Sequence, residues 1–401
     1  MLSEDAIDKL VQPIIDRQEQ INNYVIMTIA KRVEEIGHLL PSDVHKLERL
    51  LKTGSDVRKI NKELARLTGL NEKAIKKLIK EVAKDAYVDA KPYYDYRHKS
   101  YIPFESNTAL QRVVKAIEKQ TLGTYKNLSN STGFMIRDLK NPSVLKPTSI
   151  AKTYQSIIDE AVQATQGGII DYNTAIRRTM KQLNDSGLRY ITYSPESGRK
   201  YSQRLDTAVR RNILDGIRQL NQGVQDEVGK QFGADGKELS VHQYSAPDHE
   251  PIQGHQFTNE EYDKLQDGKA FEDLQGNKFK PIERHIGTWN CRHFAWSIIA
   301  GFTKPNYTDE QLEEMKKNNA KGVKLSNGKH YSMYEVTQKM RELETAIRRC
   351  KEGINMAKIT GDKQLENDYR LRMKQFRNEY KYIANLANLK ERPDKMRVSG
   401  K

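Results

Sequence analysis

Residues 334–386 read YEVTQKMRELETAIRRCKEGINMAKITGDKQLENDYRLRMKQFRNEYKYIANL and carry the cleanest hydrophobic pattern in the chain. Apolar residues follow alternating steps of four and three on either side of a break at ITGD (359–362). The two sets are Val336, Met340, Leu343, Ile347, Cys350 and Ile354, then Leu365, Tyr369, Met373, Phe376, Tyr380 and Ile383. Such steps place each set on one helix face, so the pattern predicts an antiparallel helical hairpin. Cys350 lies in that seam as a small core residue.

The rest of the chain falls into segments that differ in their hydrophobic pattern. Apolar residues from Leu10 to Ile36 form one stripe and predict a long amphipathic helix. The middle third mixes helical patterns with short strands, and its SPESG segment (194–198) favours a hairpin. The sequence therefore predicts a mostly α fold with a central α+β domain, an N-terminal helical arm and a C-terminal antiparallel helical hairpin. The predicted divisions are a helical region (1–125), a linker (126–148), the α+β domain (149–305), the hairpin (306–392) and a tail (393–401).

Charge and composition narrow the classes of protein. The chain has 68 Lys and Arg residues against 53 Asp and Glu residues, a net charge of +15. This excess favours a polyanionic neighbour: nucleic acid, an anionic membrane surface or an acidic protein. Two cysteines exclude a disulfide framework, and no apolar run of about 18 residues predicts a membrane span. The acidic opening MLSEDAIDKL lacks a secretion signal, so we expect synthesis in a reducing cytosol.

The segment INKELARLTGLNEKAIKKLI (60–79) has the spacing of a helix-turn-helix, with Gly69 at the turn. Its second helix, capped by Asn71, would direct Lys73, Lys76 and Lys77 toward DNA. The outer positions lack the Arg, Asn and Gln side chains that usually read base edges. A plain helical hairpin is therefore the favoured interpretation, and of the two DNA-binding alternatives nonspecific phosphate contact is favoured over sequence-specific binding.

Histidines cluster in HQYSAPDHEPIQGHQF (242–257), and GTWNCRHFAW (287–296) adds a cysteine beside another histidine. Zinc takes tetrahedral nitrogen and sulfur ligands. The candidate ligands are His242, His249, His255, Cys291 and His293. No familiar zinc-ligand spacing is present. A Cys291 nucleophile would need a base, oxyanion donors and a pocket. The other reading is a tight buried turn fixed by Pro247, Pro251 and Gly254, in which the histidines bond to the backbone.

Together these segments resemble the minor capsid (head-morphogenesis) proteins of tailed bacteriophages, the phage minor capsid protein 2 family, and more distantly the Mu F-like head proteins. That family has a His, a Pro-x-His, a Gln-Gly before an aromatic residue, and an Asn-Cys-Arg-His block. The matching residues here are His242, Pro247, His249, Gln253, Gly254, Phe257, Asn290, Cys291, Arg292 and His293. Segments 191–202 and 206–223 resemble the family's strand turn and the Arg-rich helix that follows it, and segment 334–362 resembles a family helix with its Gly-Asp turn. The family often has Ala-Arg before the proline, where this chain has Ser245 and Ala246.

The resemblance implies a non-enzymatic virion protein, present in few copies inside the phage head near the portal. Such a protein assists procapsid assembly and DNA packaging or ejection. The implied partners are the portal, the major capsid or scaffold proteins, and packaged DNA bound nonspecifically. It would be made in the host bacterial cytoplasm, with no cofactor unless the cluster binds zinc. Two alternatives remain: a nucleic-acid-binding protein acting through residues 55–82, and a metal-dependent hydrolase or transferase at the His/Cys cluster.

Overall fold

The computed structural model describes residues 4–37, 54–88, 90–137, 145–167, 172–193, 200–288 and 291–398. Most of them are helical. The α-helices are α1 (Glu4–Gly37), α2 (Gly54–Val88), α3 (Lys91–Tyr96), α4 (Thr108–Asn130), α5 (Ile150–Gly167), α6 (Tyr172–Ser186), α7 (Leu205–Phe232), α8 (Asn259–Gln266), α9 (Asp309–Lys321), α10 (Met333–Ile359) and α11 (Lys363–Leu386). The strands are β1 (Thr132–Arg137), β2 (Leu145–Ser149), β3 (Arg189–Tyr193), β4 (Lys200–Arg204), β5 (Gly236–Leu239), β6 (Gln256–Thr258), β7 (Phe271–Glu272), β8 (Lys278–Phe279), β9 (Ala295–Ile298), β10 (Val323–Lys324) and β11 (His330–Tyr331).

The predicted C-terminal helical pair is present as α10 and α11, and the apolar steps explain it. All six seam residues of α10 are buried, including Cys350 at 4% exposure. In α11 the seam is buried at both ends, whereas Met373 and Phe376 in its middle are half-buried. Gly361 adopts φ 65° between the helices, and Asp362 caps α11 by accepting a bond from the Leu365 amide. The fold-class prediction is confirmed.

Small antiparallel sheets supply the α+β part. The predicted strand pair exists as β3 and β4, although the SPESG centre lies outside the described residues. These strands join β1 and β2 in one sheet of order β2-β1-β3-β4. The stretch predicted as a linker therefore contributes β1 and part of β2 to a sheet. A second sheet has the order β6-β5-β9.

The chain forms two compact units, each assembled from three separate segments. Unit 1 comprises Met1–Val11, Lys73–Thr124 and Arg211–Lys339, and unit 2 comprises Gln12–Glu72, Tyr125–Arg210 and Met340–Lys401. Unit 1 contains the β6-β5-β9 sheet and an apolar core around Leu239, Phe257 and Leu265. The contiguous domain boundaries stay a prediction from sequence. Among the described helices, none is both long and apolar enough to cross a membrane.

The helix-turn-helix and the plain helical hairpin predicted at 60–79 are both wrong. Residues 54–88 form one uninterrupted helix, α2, and Gly69 lies inside it without a positive φ. Asn71 does not cap a second helix. Its buried side chain accepts a bond from Arg17 Nε at 2.7 Å and donates to the Ile14 carbonyl at 3.2 Å. The Asn71 side-chain amide, predicted to cap a second helix, is thus hydrogen-bonded to α1 instead.

A matched pair of glycine substitutions tests whether α2 continues through Gly69. A Cβ added at Gly69 or at Gly361 meets no atom within 4 Å, so only the backbone conformation differs between the two sites. Gly69→Ala should raise the free energy of unfolding by about 0.5–1 kcal/mol, because alanine favours a helix interior. Gly361→Ala should lower it, because φ is positive there. Chemical denaturation measures both, and a loss of stability for Gly69→Ala would restore the predicted turn.

Candidate metal centre

The candidate site lies at the end of the β6-β5-β9 sheet. Strand β5 is central, and the histidine-rich turn leaves its end while the segment carrying Cys291 and His293 leads into β9. Two backbone bonds fix these segments side by side: Gly254 N to the Leu239 carbonyl and Ser240 N to the Phe294 carbonyl, both 2.9 Å. Antiparallel pairing therefore joins two chain segments about 40 residues apart.

Three of the five predicted ligands converge. Cys291 Sγ lies 3.5 Å from His249 Nδ1 and 3.6 Å from His293 Nδ1. One ligand atom from each residue lies within 4.8 Å of the other two. All three residues are buried, with exposures of 1% for His249, 3% for Cys291 and 4% for His293.

The far side of each imidazole ring is held by an oxygen atom. His249 Nε2 lies 2.7 Å from the Arg284 carbonyl, which can only accept, so Nε2 carries the proton. His293 Nε2 lies 3.3 Å from Gln253 Oε1, and that oxygen also accepts the His242 backbone N–H at 3.0 Å. Both rings therefore hold their protons on Nε2 and direct the Nδ1 lone pairs at Cys291 Sγ.

The surroundings shift all three ionisation equilibria. Burial raises the pKa of the Cys291 thiol, but its hydrogen bond with His249 and nearby backbone N–H groups outweigh burial and lower that pKa overall. Burial lowers the pKa of His249, and its bonds to Cys291 and the Arg284 carbonyl outweigh that effect and raise it. Burial, His242 and His249 lower the pKa of His293 to about 2, so this ring stays neutral. The arrangement can hold a thiolate beside an imidazolium, or a soft metal ion.

The sequence model of one family, phage minor capsid protein 2, matches residues 2–384. The chain belongs to the phage minor capsid protein 2 family. No curated protein matches the chain, and no solved structure does. Membership makes the chain a structural protein of the phage virion that interacts with other head components. A structural capsid family also favours a non-enzymatic role.

Only some of the motif residues of this minor capsid protein lie at the cluster of His249, Cys291 and His293. His242 is half-buried beside the cluster, with its ring centroid 4.5 Å from that of His293. His255 lies elsewhere, because its Nδ1 pairs with Asp273 Oδ2 at 2.7 Å. Pro247 is exposed, Arg292 is half-buried, and Asn290 lies outside the described residues. His255 therefore braces the turn of β7 and β8, which Asp273 also orders through backbone bonds.

Sequence reasoning missed Arg284. Its guanidinium forms two bonds of 2.8 Å to the Asp248 carboxylate, and its carbonyl accepts from His249. Burial raises the pKa of Asp248, but the Arg284 bonds outweigh burial and lower it. Asp248 and Arg284 are 36 residues apart, and no local pattern joins them.

The motif glycine Gly254 is required by its conformation. It adopts φ 78°, and a Cβ there would lie 2.7 Å from Leu312 Cδ2 and 3.0 Å from Val241 Cγ2. Gly254→Ala should therefore cost about 1–3 kcal/mol of unfolding free energy. Gly301→Ala is the matched control, because Gly301 has φ 76° with nothing within 4 Å. Denaturation should show the larger loss at Gly254; equal losses would contradict the packing argument.

The three lysines predicted to contact DNA lie on the exposed surface of α2. Lys73, Lys76 and Lys77 are all exposed, and Lys77 is 3.6 Å from Glu81. They now belong to a continuous helix rather than to a recognition helix after a turn. A continuous helix does not provide the helix-turn-helix geometry that reads bases. Contact with phosphates needs only exposed cations.

Proposed function

We propose that this minor capsid protein is a low-copy component of the phage head interior, associated with the portal, that assists procapsid assembly and DNA packaging or ejection. The observation that carries the proposal is the family match over residues 2–384. Its partners are the portal and the major capsid or scaffold proteins. The protein is made in the host bacterial cytoplasm and acts by assembly, without turnover.

The physical character of the chain supports this role. The net charge of +15 suits a compartment shared with packaged DNA, since cations offset phosphate repulsion. Long helices such as α1, α2, α10 and α11 offer extended faces for docking on an oligomeric scaffold. Cys291 Sγ is buried, which suits a structural or ion-binding role better than attack on a large substrate.

The test is a phage carrying a stop codon in the gene for this chain, compared with the same phage complemented by the intact protein. Loss of infectious particles, with misassembled or empty heads by electron microscopy, is the expected result. In complemented infections, cross-linking should join the chain to the portal protein. Normal titre and normal DNA-filled heads without the chain would contradict an assembly role.

We further propose that Lys73, Lys76 and Lys77 contact packaged DNA through phosphates alone. Their shared exposure on one helix supports this reading, and such binding weakens steeply with salt. Replacing all three by alanine should reduce the slope of log affinity against log salt by up to about 3. The control changes another exposed trio, Lys374, Arg377 and Lys381, on α11. Equal slopes for wild type and the Lys73, Lys76 and Lys77 variant would contradict the proposal.

A further inference from the structure

We propose that His249, Cys291 and His293 bind one zinc ion, which ties the turn after β5 to the segment entering β9. The site is separate from the proposed role in head assembly and does not depend on it. Zinc is the expected metal, because it prefers thiolate and imidazole ligands, and with three protein ligands its fourth tetrahedral position would go to water.

The two sulfur–nitrogen distances fit such an ion. Zinc bonds of about 2.3 Å to sulfur and about 2.0–2.1 Å to nitrogen give tetrahedral sulfur–nitrogen edges of about 3.5–3.6 Å. The two sulfur–nitrogen distances here are 3.5 Å and 3.6 Å. The third edge, between the two imidazole nitrogens, is at most 4.8 Å, and zinc binding would bring these nitrogens to about 3.3 Å from each other. The cluster is thus spaced as a ligand set, with His242 next to it.

The outer contacts independently point to a metal. Metal-binding imidazoles usually donate their second N–H to a carbonyl or carboxylate, which fixes the ring and its tautomer. Both rings do so here, His249 toward the Arg284 carbonyl and His293 toward Gln253 Oε1. This leaves two Nδ1 lone pairs facing one sulfur atom.

In the neutral cluster, hydrogen-bond donors are fewer than the acceptors that face them. A thiol has one proton to donate, and two buried Nδ1 acceptors face it at 3.5 Å and 3.6 Å. Buried acceptors without a donor are costly. A zinc ion satisfies both nitrogens and the sulfur together. On binding, the Cys291 S–H bond breaks, the proton leaves to solvent, and a zinc–sulfur bond forms without any change of oxidation state.

The experiment uses the full chain, purified without chelators from cells grown with zinc. Elemental analysis should give about one zinc per chain in the wild type. Cys350→Ser is the matched control, because Cys350 is the other buried cysteine and lies outside the cluster. It should keep the zinc, whereas Cys291→Ser should lose it. Gln253→Ala should retain the fold and weaken zinc affinity about 10- to 100-fold.

Cobalt gives a second readout that does not depend on Cys291→Ser folding. Cobalt added to chelator-treated Cys350→Ser protein should produce a thiolate-to-cobalt charge-transfer band, and that band can arise only from Cys291. Intense visible bands should report tetrahedral geometry. Zinc added to the same protein should raise the unfolding temperature. Wild-type protein without bound metal and without a thiolate–cobalt band would overturn the proposal, as would a band that persists in Cys291→Ser.

Discussion

Replacing Arg204 by methionine should lower the free energy of unfolding by about 3–5 kcal/mol, because it leaves the buried Glu352 carboxylate without its cationic partner. Arg204 lies in unit 2, with its side chain 6% exposed, and contacts Asp206 Oδ1 at 3.3 Å and Glu352 Oε1 at 3.2 Å. The Glu352 side chain is only 1% exposed. Burial lowers the pKa of Arg204, but the two carboxylates outweigh burial and raise it overall. The arginine therefore stays charged, and its removal strands negative charge in the interior.

The control for this prediction is the same substitution at an exposed pair. Arg66 lies 2.6 Å from Glu63, but its side chain is 57% exposed. Arg66→Met should show no measurable loss in chemical denaturation, because water and salt screen such pairs. Adding Glu352→Met to Arg204→Met should recover part of the lost stability, since one stranded charge is removed. Equal effects at Arg204 and Arg66 would contradict the assignment of a buried ion network.

The second large effect concerns pH and Glu19. This carboxyl is buried, with its side chain 3% exposed, and contacts Arg348 Nε at 3.1 Å. Burial and the nearby carboxylates of Asp206, Glu352 and Asp16 outweigh the attraction of Arg348 and raise the pKa of Glu19 to about 8. The unfolded chain ionises near the ordinary glutamate value, so the folded state keeps a proton that the unfolded state releases.

The sign of the pH dependence follows from this difference. Between the ordinary glutamate pKa and about 8, unfolding releases one proton, and stability falls as pH rises. The slope is of the order of 1 kcal/mol per pH unit. Glu19→Gln keeps the shape and removes the ionisation. Denaturation across this range should therefore show a flatter dependence in the variant, which gains on the wild type as pH rises. Parallel curves would contradict the raised pKa.

The C-terminal helices were predictable because their information is local. Alternating steps of four and three fix which face of each helix is buried, whatever the partner, and Val336, Ile347 and Tyr380 are buried as expected. Local residue preference gave the wrong result at Gly69, where it predicted a turn inside a continuous helix. A glycine with an asparagine two residues later is typical of a helix end, yet tertiary hydrogen bonds from Arg17 and to Ile14 occupy the Asn71 amide. Tertiary contacts with residues distant in the sequence therefore outweighed the local preference for a helix end.

The sequence predicted which residue types form the candidate metal centre, but not which individual residues come together there. The residue types indicated five ligands, and only the pairing of β5 with β9 selects His249, Cys291 and His293. His255 differs because its Nδ1 is hydrogen-bonded to Asp273 Oδ2, away from the cluster. The buried ion network in unit 2 has no sequence signature, since Arg204 and Glu352 are 148 residues apart.

The most direct test of the central claim is quantitative mass spectrometry of purified, DNA-filled particles of the phage that encodes this chain. If the chain is a structural component of the head, peptides from residues 2–384 should be present in washed particles, in far fewer copies than the major capsid protein and retained in fractions that contain the portal. Absence of the chain from particles made by cells that contain it in soluble form would contradict a structural role in the head.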